Sequence, residues 1–214
     1  MKYDFTLYLV TDRDLMSTHT LKEAVEQAIL GGCTMIQLRE KEATSLDFYN
    51  QAMELRLLTA HYHIPLIIND RVDIALSVNA DGVHIGQSDI PANIVKKIVG
   101  DNMLLGVSAT SIQEAIRAEE DGADYLGVGA MFPTGTKKDA QTVSKNELKQ
   151  ICKAVSIPVV AIGGINAQNA SLLAGTGISG LAIVSAIISQ PDIKQAAKSL
   201  KQSFLQGRKF ANEF

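Results

Sequence analysis

Eight short β-branched runs recur along the chain, at residues 6–12, 34–40, 65–70, 82–86, 104–109, 125–130, 158–164 and 180–186, with helical patterns between them. This alternation restricts the fold more than any other feature. A helix between two strands returns the chain to the starting edge of the sheet, so consecutive strands run parallel. Eight such units predict an α/β chain folded as a single (β/α)8 TIM barrel over residues 1–214. The alternative is an open doubly wound sheet. It needs fewer strands and, for a dinucleotide, a glycine fingerprint after the first strand, which the sequence lacks.

The joints between these units are readable. Thr20 and Glu23, Ser111 and Glu114, and Ser144 and Glu147 have the spacing of capping boxes, which start helices. The last helix is expected near Pro191, with Ile193, Ala196, Ala197, Leu200 and Phe204 on one face. Gly82, Gly122 and Gly177 each fall between a helical pattern and the next strand, where a left-handed cap reverses the chain.

Composition limits the partners. The 214 residues are 46% hydrophobic, enough for a sizeable core. A net charge of −3 leaves no footprint for nucleic acid or a membrane surface, so any anionic ligand must be held by local cations. No apolar stretch reaches the length of a membrane span, and Asp4 and Asp12 flank the first apolar run, unlike a secretory signal. A cytoplasmic protein is expected, acting on small molecules, with a homo-oligomer allowed. Cys33 and Cys152 are too few for a disulfide framework or zinc site, and are expected to be buried thiols.

In a barrel of this kind, chemistry gathers at the carboxyl ends of the strands. The second run ends in Gln37, Arg39 and Lys41, spaced two apart and therefore facing one side. An amide and two cations on one face call for an anion. The third and fourth runs end in Asn69-Asp70 and Gly86-Gln-Ser-Asp89. Carboxylates on neighbouring strand ends suit magnesium, which takes few protein ligands and completes its shell with water and phosphate. Helix capping by Asp70 and Asp89 is the competing reading. The sixth run opens into a loop at 131–139 that is rich in hydroxyls and lysines, either an anion-binding lid or a solvated turn. Gly163-Gly164 at the end of the seventh run and Val184-Ser185 near the end of the eighth have the pattern of a phosphate-binding pair of loops. His84 reads as a hydrogen-bonded core residue, and His61 and His63 as the end of the second helix. Ser108 is either a ligand contact or a turn residue. No nucleophile–base set stands out.

Taken in order, Tyr8-Leu-Val-Thr-Asp12, Gln37-Leu-Arg-Glu-Lys41, Asn69-Asp70, Gly86-Gln-Ser-Asp89, Gly106-Val-Ser-Ala-Thr110, Pro133-Thr-Gly-Thr-Lys137, Gly163-Gly-Ile165 and Val184-Ser185 resemble the thiamine-phosphate synthase family. The resemblance covers essentially the whole chain, and no functional position departs from it. It implies a transferase that joins hydroxymethylpyrimidine diphosphate to a thiazole phosphate, with or without an extra carboxylate, and releases diphosphate. By that resemblance Gln37, Arg39, Lys41, Asn69, Ser108 and Lys137 contact the pyrimidine diphosphate, with Arg39, Lys41, Ser108 and Lys137 the catalytic set. Asp70 and Asp89 hold one magnesium ion shared with the diphosphate. Thr134, Gly135, Thr136, Gly164, Val184 and Ser185 hold the thiazole phosphate.

Three other readings compete. A thiazole tautomerase-like paralogue moves a proton and needs a base, but no diphosphate grip. A non-catalytic thiazole-phosphate-binding protein has no use for the paired carboxylates. A sugar-phosphate isomerase requires that the diphosphate-side residues fail to converge.

Overall fold

The computed structural model describes residues 3–135 and 142–212. Eight parallel strands close into a barrel in sequence order: β1 (Leu7–Val10), β2 (Met35–Leu38), β3 (Leu66–Asn69), β4 (Gly82–Ile85), β5 (Leu104–Ala109), β6 (Tyr125–Val128), β7 (Val159–Ile162) and β8 (Gly180–Ile183). β1 pairs with both β2 and β8, which closes the ring. All the ladders except β5 are shorter than the runs predicted from sequence, and Arg39, Lys41, Asp70 and Asp89 stand beyond the strands, on the rim.

The outer layer comprises α1 (Leu21–Leu30), α2 (Ser45–His61), α3 (Val72–Ser77), α4 (Ala92–Val99), α5 (Ile112–Glu120), α6 (Lys145–Ala154), α7 (Ser185–Ile188) and α8 (Ile193–Asn212). The hydroxyl half of each predicted capping box forms: Thr20, Ser111 and Ser144 accept from the amides of Glu23, Glu114 and Glu147. The carboxylate at α5 has another partner. Glu114 there accepts from the amide and hydroxyl of Thr110 instead, tying the helix to the end of β5.

The eight units are not equal. Between β7 and β8 the described chain makes only a 3-10 turn, Ala170–Leu173. The long α8 covers it: Ser203 donates to the Ala167 carbonyl, and a Cβ at Gly207 would come within 3.0 Å of Ser171 and Ala174. α8 buries Ile193, Ala197, Leu200 and Phe204 as predicted, the three large side chains each worth up to about 3 kcal/mol of transfer free energy, whereas Ala196 is half-buried. Its start is capped by Asp192, which accepts from the Gln195 amide, one residue past the predicted Pro191.

One joint works differently from its sequence reading. Gly122 and Gly177 take positive φ as expected, but before β4 it is Asn79 that adopts the left-handed turn, at φ 52°. Gly82 is instead the first residue of β4, where a Cβ would press on the Ile67 side chain and Leu104. Glycine is needed there for close packing rather than for a turn.

Side chains pointing outward from the strands meet the helices in the main core. Those pointing inward form a second cluster of Phe5, Tyr8, Val10, Met35, Ile67, Tyr125, Val160 and Ala182, which plugs the barrel. At the amino-terminal end, Asp81 and Asp124 accept the amides of Leu66 and Leu105, and Arg56 and Lys96 pair with them. Those charges hold strand ends together, and that face reads as structural.

Candidate active site

The carboxyl-terminal face opens into a cavity of ≈ 660 Å³, within the range of small-molecule sites. Gln37, Arg39, Lys41, Asn69, Asp70, Asp89, Ser108, Thr134, Gly164, Val184 and Ser185 all line it. Gly135 follows Thr134 on the same loop, with nothing within 4 Å of the place a Cβ would occupy. Thr136 and Lys137 lie outside the described residues.

The floor of the cavity is polar although it is deeply buried. The Gln37 amide nitrogen donates to the Tyr8 hydroxyl at 2.7 Å, and the Tyr8 and Tyr125 hydroxyls share a bond at 2.9 Å. His84 Nδ1 bonds the Tyr125 hydroxyl and its Nε2 bonds Ser108 Oγ, both at 3.0 Å. Burial pushes the His84 pKa down to about 4, with the Asp70 charge opposing it, so the ring is neutral near pH 7. Burial likewise raises both tyrosines, which remain phenols. Two interior glycines make room for these rings. A Cβ at Gly106 would collide with the Tyr125 hydroxyl and the His84 ring, and one at Gly127 would sit 3.1 Å from His84 Cε1.

From β2 to β4 the rim is built from charges. The backbone of Arg39 is held by Thr11, whose hydroxyl accepts its amide at 3.0 Å, and Asp12 lies 3.6 Å from its guanidinium. Lys41 Nζ reaches Asp70 at 2.9 Å. Asp70 sits at φ 61°, a conformation aspartate tolerates better than most residues, and its amide donates to the His84 carbonyl. Asp89 accepts from the Gly86 amide at 2.6 Å.

The capping alternative for both carboxylates fails on geometry. The caps of α3 and α4 are Arg71 and Pro91, and neither helix start receives a side-chain cap bond. The Asp89 carboxyl is held above the usual carboxylate range. Burial is the main cause, the Gly86 amide opposes it, and the charge and side chain of the neighbouring Asp70 add to it. A carboxyl raised by burial and by a second carboxylate beside it forms, with that neighbour, a natural oxygen pair for a cation. Among the described residues no group of three or more His, Cys, Asp or Glu could hold a metal. Two carboxylates with the remaining positions left to water and phosphate is the donor set that suits magnesium.

From β6 to β8 the rim is built from backbone. Gly163 and Gly164 adopt φ 97° and 65°. A Cβ at Gly164 would come within 2.6–2.8 Å of the Phe132 and Pro133 carbonyl groups, so this glycine packs the β7 loop against the β6 loop. Val184 precedes α7, which begins at Ser185.

Three residues of the floor escaped the sequence reading as a connected group. His84 is the hydrogen-bonded core residue predicted, yet it also lines the cavity, as does Tyr8, while Tyr125 links them from beneath. The available signal was the pair of glycines inside β5 and β6, which marks space taken by another side chain. His61 is the last residue of α2, and His63 lies two beyond it at φ 55°. Cys33 is buried as expected, but Cys152 is only half-buried; burial lifts their thiols to about 12 and about 11, which leaves both unreactive.

Residues 7–187 match the thiamine monophosphate synthase family model. The chain is 63% identical over 205 residues to a thiamine-phosphate synthase of Clostridium beijerinckii, covering 96% of this chain and 98% of that one. It is 62% identical to a thiamine-phosphate synthase of Ruminiclostridium cellulolyticum, covering 95% and 97%. Among solved structures, a thiamine phosphate pyrophosphorylase from Pyrococcus furiosus superposes with a TM-score of 0.89 at 40% identity, over 96% and 98% of the two chains. A 3-hexulose-6-phosphate synthase superposes with a TM-score of 0.66 at 20% identity, a likeness of fold alone.

Proposed function

The chain belongs to the thiamine-phosphate synthase family, a family of transferases, and from that premise we propose how the cavity divides its two substrates. The charged rim receives 4-amino-2-methyl-5-hydroxymethylpyrimidine diphosphate, and the backbone rim receives the thiazole phosphate. The thiazole nitrogen displaces diphosphate from the pyrimidine methylene, giving thiamine phosphate.

Diphosphate leaves from a methylene on an electron-rich ring, so positive charge grows on carbon while negative charge collects on the leaving group. Arg39 and Lys41 stand where that negative charge collects, and Lys137 joins them by resemblance; cations fixed there favour the transition state over the ground state. Asp70 and Asp89 are the residues that would hold magnesium, and when bound the ion supplies further neutralisation of the diphosphate. Lys41 bridges to Asp70 and is set to pair with phosphate once a ligand enters. Gln37, Asn69 and Ser108 orient the pyrimidine. Thr134, Gly135, Thr136, Gly164, Val184 and Ser185 hold the thiazole phosphate through amides and hydroxyls.

The attacking nitrogen uses its lone pair and has no proton to lose, so no general base is required. The floor agrees: the neutral His84 has both ring nitrogens engaged by hydroxyls and is not free to abstract a proton. The barrel's remaining contribution is to hold two reactants in register, worth up to roughly 7–11 kcal/mol.

The observation that carries this reading is the facing pair Asp70 and Asp89, beside Lys41 and Arg39, on a rim where neither carboxylate caps a helix. Incubating the protein with both substrates, with magnesium or with chelator, and detecting thiamine phosphate by mass tests it. Product that forms equally well in chelator would remove the metal role from the two carboxylates.

A further inference from the structure

The buried chain Gln37–Tyr8–Tyr125–His84–Ser108 runs from one side of the cavity floor to the other, and every link is a hydrogen bond of 2.7–3.0 Å. Its two ends line the cavity, and its middle member, Tyr125, is fully buried. With the Gln37 amide nitrogen placed on Tyr8, one direction puts a proton on every link. Gln37 donates to the Tyr8 oxygen, so the Tyr8 proton points to Tyr125. The Tyr125 proton then points to His84 Nδ1. A neutral ring that accepts at Nδ1 carries its proton at Nε2, and donates it to Ser108 Oγ. The Ser108 hydroxyl proton is thereby left for the cavity.

We propose that Tyr8, Tyr125 and His84 are positioning residues that couple the two ends of this chain, so that the orientation of the Gln37 amide sets whether Ser108 meets the ligand as a donor. This rests on the placement of Gln37 and Ser108 at the pyrimidine diphosphate. With the amide nitrogen committed to Tyr8, Gln37 turns its carbonyl toward the site, and Ser108 offers a proton at the opposite side. Reversing the amide would reverse every bond: Tyr8 would donate to Gln37, His84 would carry its proton on Nδ1, and Ser108 would present only a lone pair. The two ends therefore always have opposite polarity. Such a floor selects a heteroaromatic amine that offers an N–H at one edge and an acceptor, a ring nitrogen or phosphate oxygen, at the other.

The test reads the histidine tautomer directly, by ring-nitrogen NMR of the full-length protein labelled with ¹⁵N-histidine, with His84→Gln assigning the signal. The wild type is expected to show His84 protonated at Nε2. Gln37→Glu replaces the donor by an acceptor, and is expected to move the proton to Nδ1 through two intervening tyrosines. Tyr125→Phe cuts the chain, so in that background Gln37→Glu should leave the tautomer unchanged. An Nδ1–H tautomer in the wild type would overturn the proposal, as would one that ignores Gln37→Glu.

Calorimetry supplies the functional readout. Tyr125→Phe should weaken pyrimidine diphosphate binding by roughly tenfold and leave thiazole phosphate binding unchanged. A lower melting temperature with both affinities intact would reduce the chain to a structural feature. Gln37→Ala and Ser108→Ala, titrated alongside, separate the two levels. If neither alters pyrimidine diphosphate affinity, the site assignment itself is wrong and the coupling has no ligand to act on.

Discussion

The two halves of the cavity mouth are built by opposite means. Between β2 and β4 the rim is made of charged side chains: Arg39 beside Asp12, Lys41 bridged to Asp70, and Asp89 drawn to the Gly86 amide. Between β6 and β8 it is made of main chain, with Gly163 and Gly164 in left-handed conformations and α7 starting at Ser185. The difference matches the task proposed for each half. A leaving diphosphate gains charge during the reaction, and ion pairs respond to that change. A thiazole phosphate keeps its charge throughout, and amides pointing at a fixed place are enough. Charge substitutions should therefore damage one half, and steric substitutions the other.

The largest effect is expected from Asp89→Asn. The amide keeps the side-chain shape and can still accept from Gly86, so the fold persists. Loss of the charge should lower the turnover rate about 10²–10³-fold, measured in single turnovers at saturating substrates. The stability consequence has a definite sign. The folded Asp89 pKa lies above its unfolded value, so the protonated form is the one folding favours, and that contribution is lost as pH rises through the folded value. At pH 7 the variant should melt slightly above the wild type while working far less well.

Next comes the shared floor. His84 is held neutral with a folded pKa of about 4, against an unfolded value near 6.5. The unfolded chain binds the extra proton first, so stability is full above about pH 6.5 and falls as pH drops toward 4. The loss amounts to at most about 3 kcal/mol. Thermal melts of the wild type and His84→Gln across pH 4–7 check this, since the variant should lack one proton's worth of that slope.

Gly164→Ala ranks third. At φ 65° and with the Phe132 and Pro133 carbonyls in the way, the added methyl must displace the β6 loop. The KM for thiazole phosphate should rise by roughly tenfold, with pyrimidine diphosphate little affected. Equal weakening of both ligands would place this glycine between the subsites rather than in one. The smallest effect is expected at Arg13, which pairs with Glu40 at 2.8 Å beside the charged rim. The arginine is exposed, so Arg13→Ala should cost under about 1 kcal/mol in melting experiments and leave turnover within about threefold.

The sequence made the barrel legible because both of its periods are strong: β-branched runs set the strands, and hydroxyl–carboxylate spacings set several helix starts. It misplaced what depends on tertiary neighbours. Gly82 looks like Gly122 and Gly177 in sequence, but only the barrel reveals that it serves packing while Asn79 makes the turn. The rim residues were legible because they interrupt apolar strands with groups that need a partner. The capping alternative for Asp70 and Asp89 was equally consistent with their sequence positions, and only the geometry of α3 and α4 removes it. The polar floor was the least visible part. Tyr8, His84 and Tyr125 are far apart in the chain, each passes for an ordinary core residue, and only their convergence makes them a network.

The division of the mouth is tested most directly by titrating each ligand separately into the wild-type protein, with magnesium and with chelator. Pyrimidine diphosphate binding should tighten when magnesium is supplied and weaken on chelation, while thiazole phosphate binding stays the same in both. Thiazole phosphate binding that follows the metal, or pyrimidine diphosphate binding that ignores it, would contradict the assignment of charge to one half and backbone to the other.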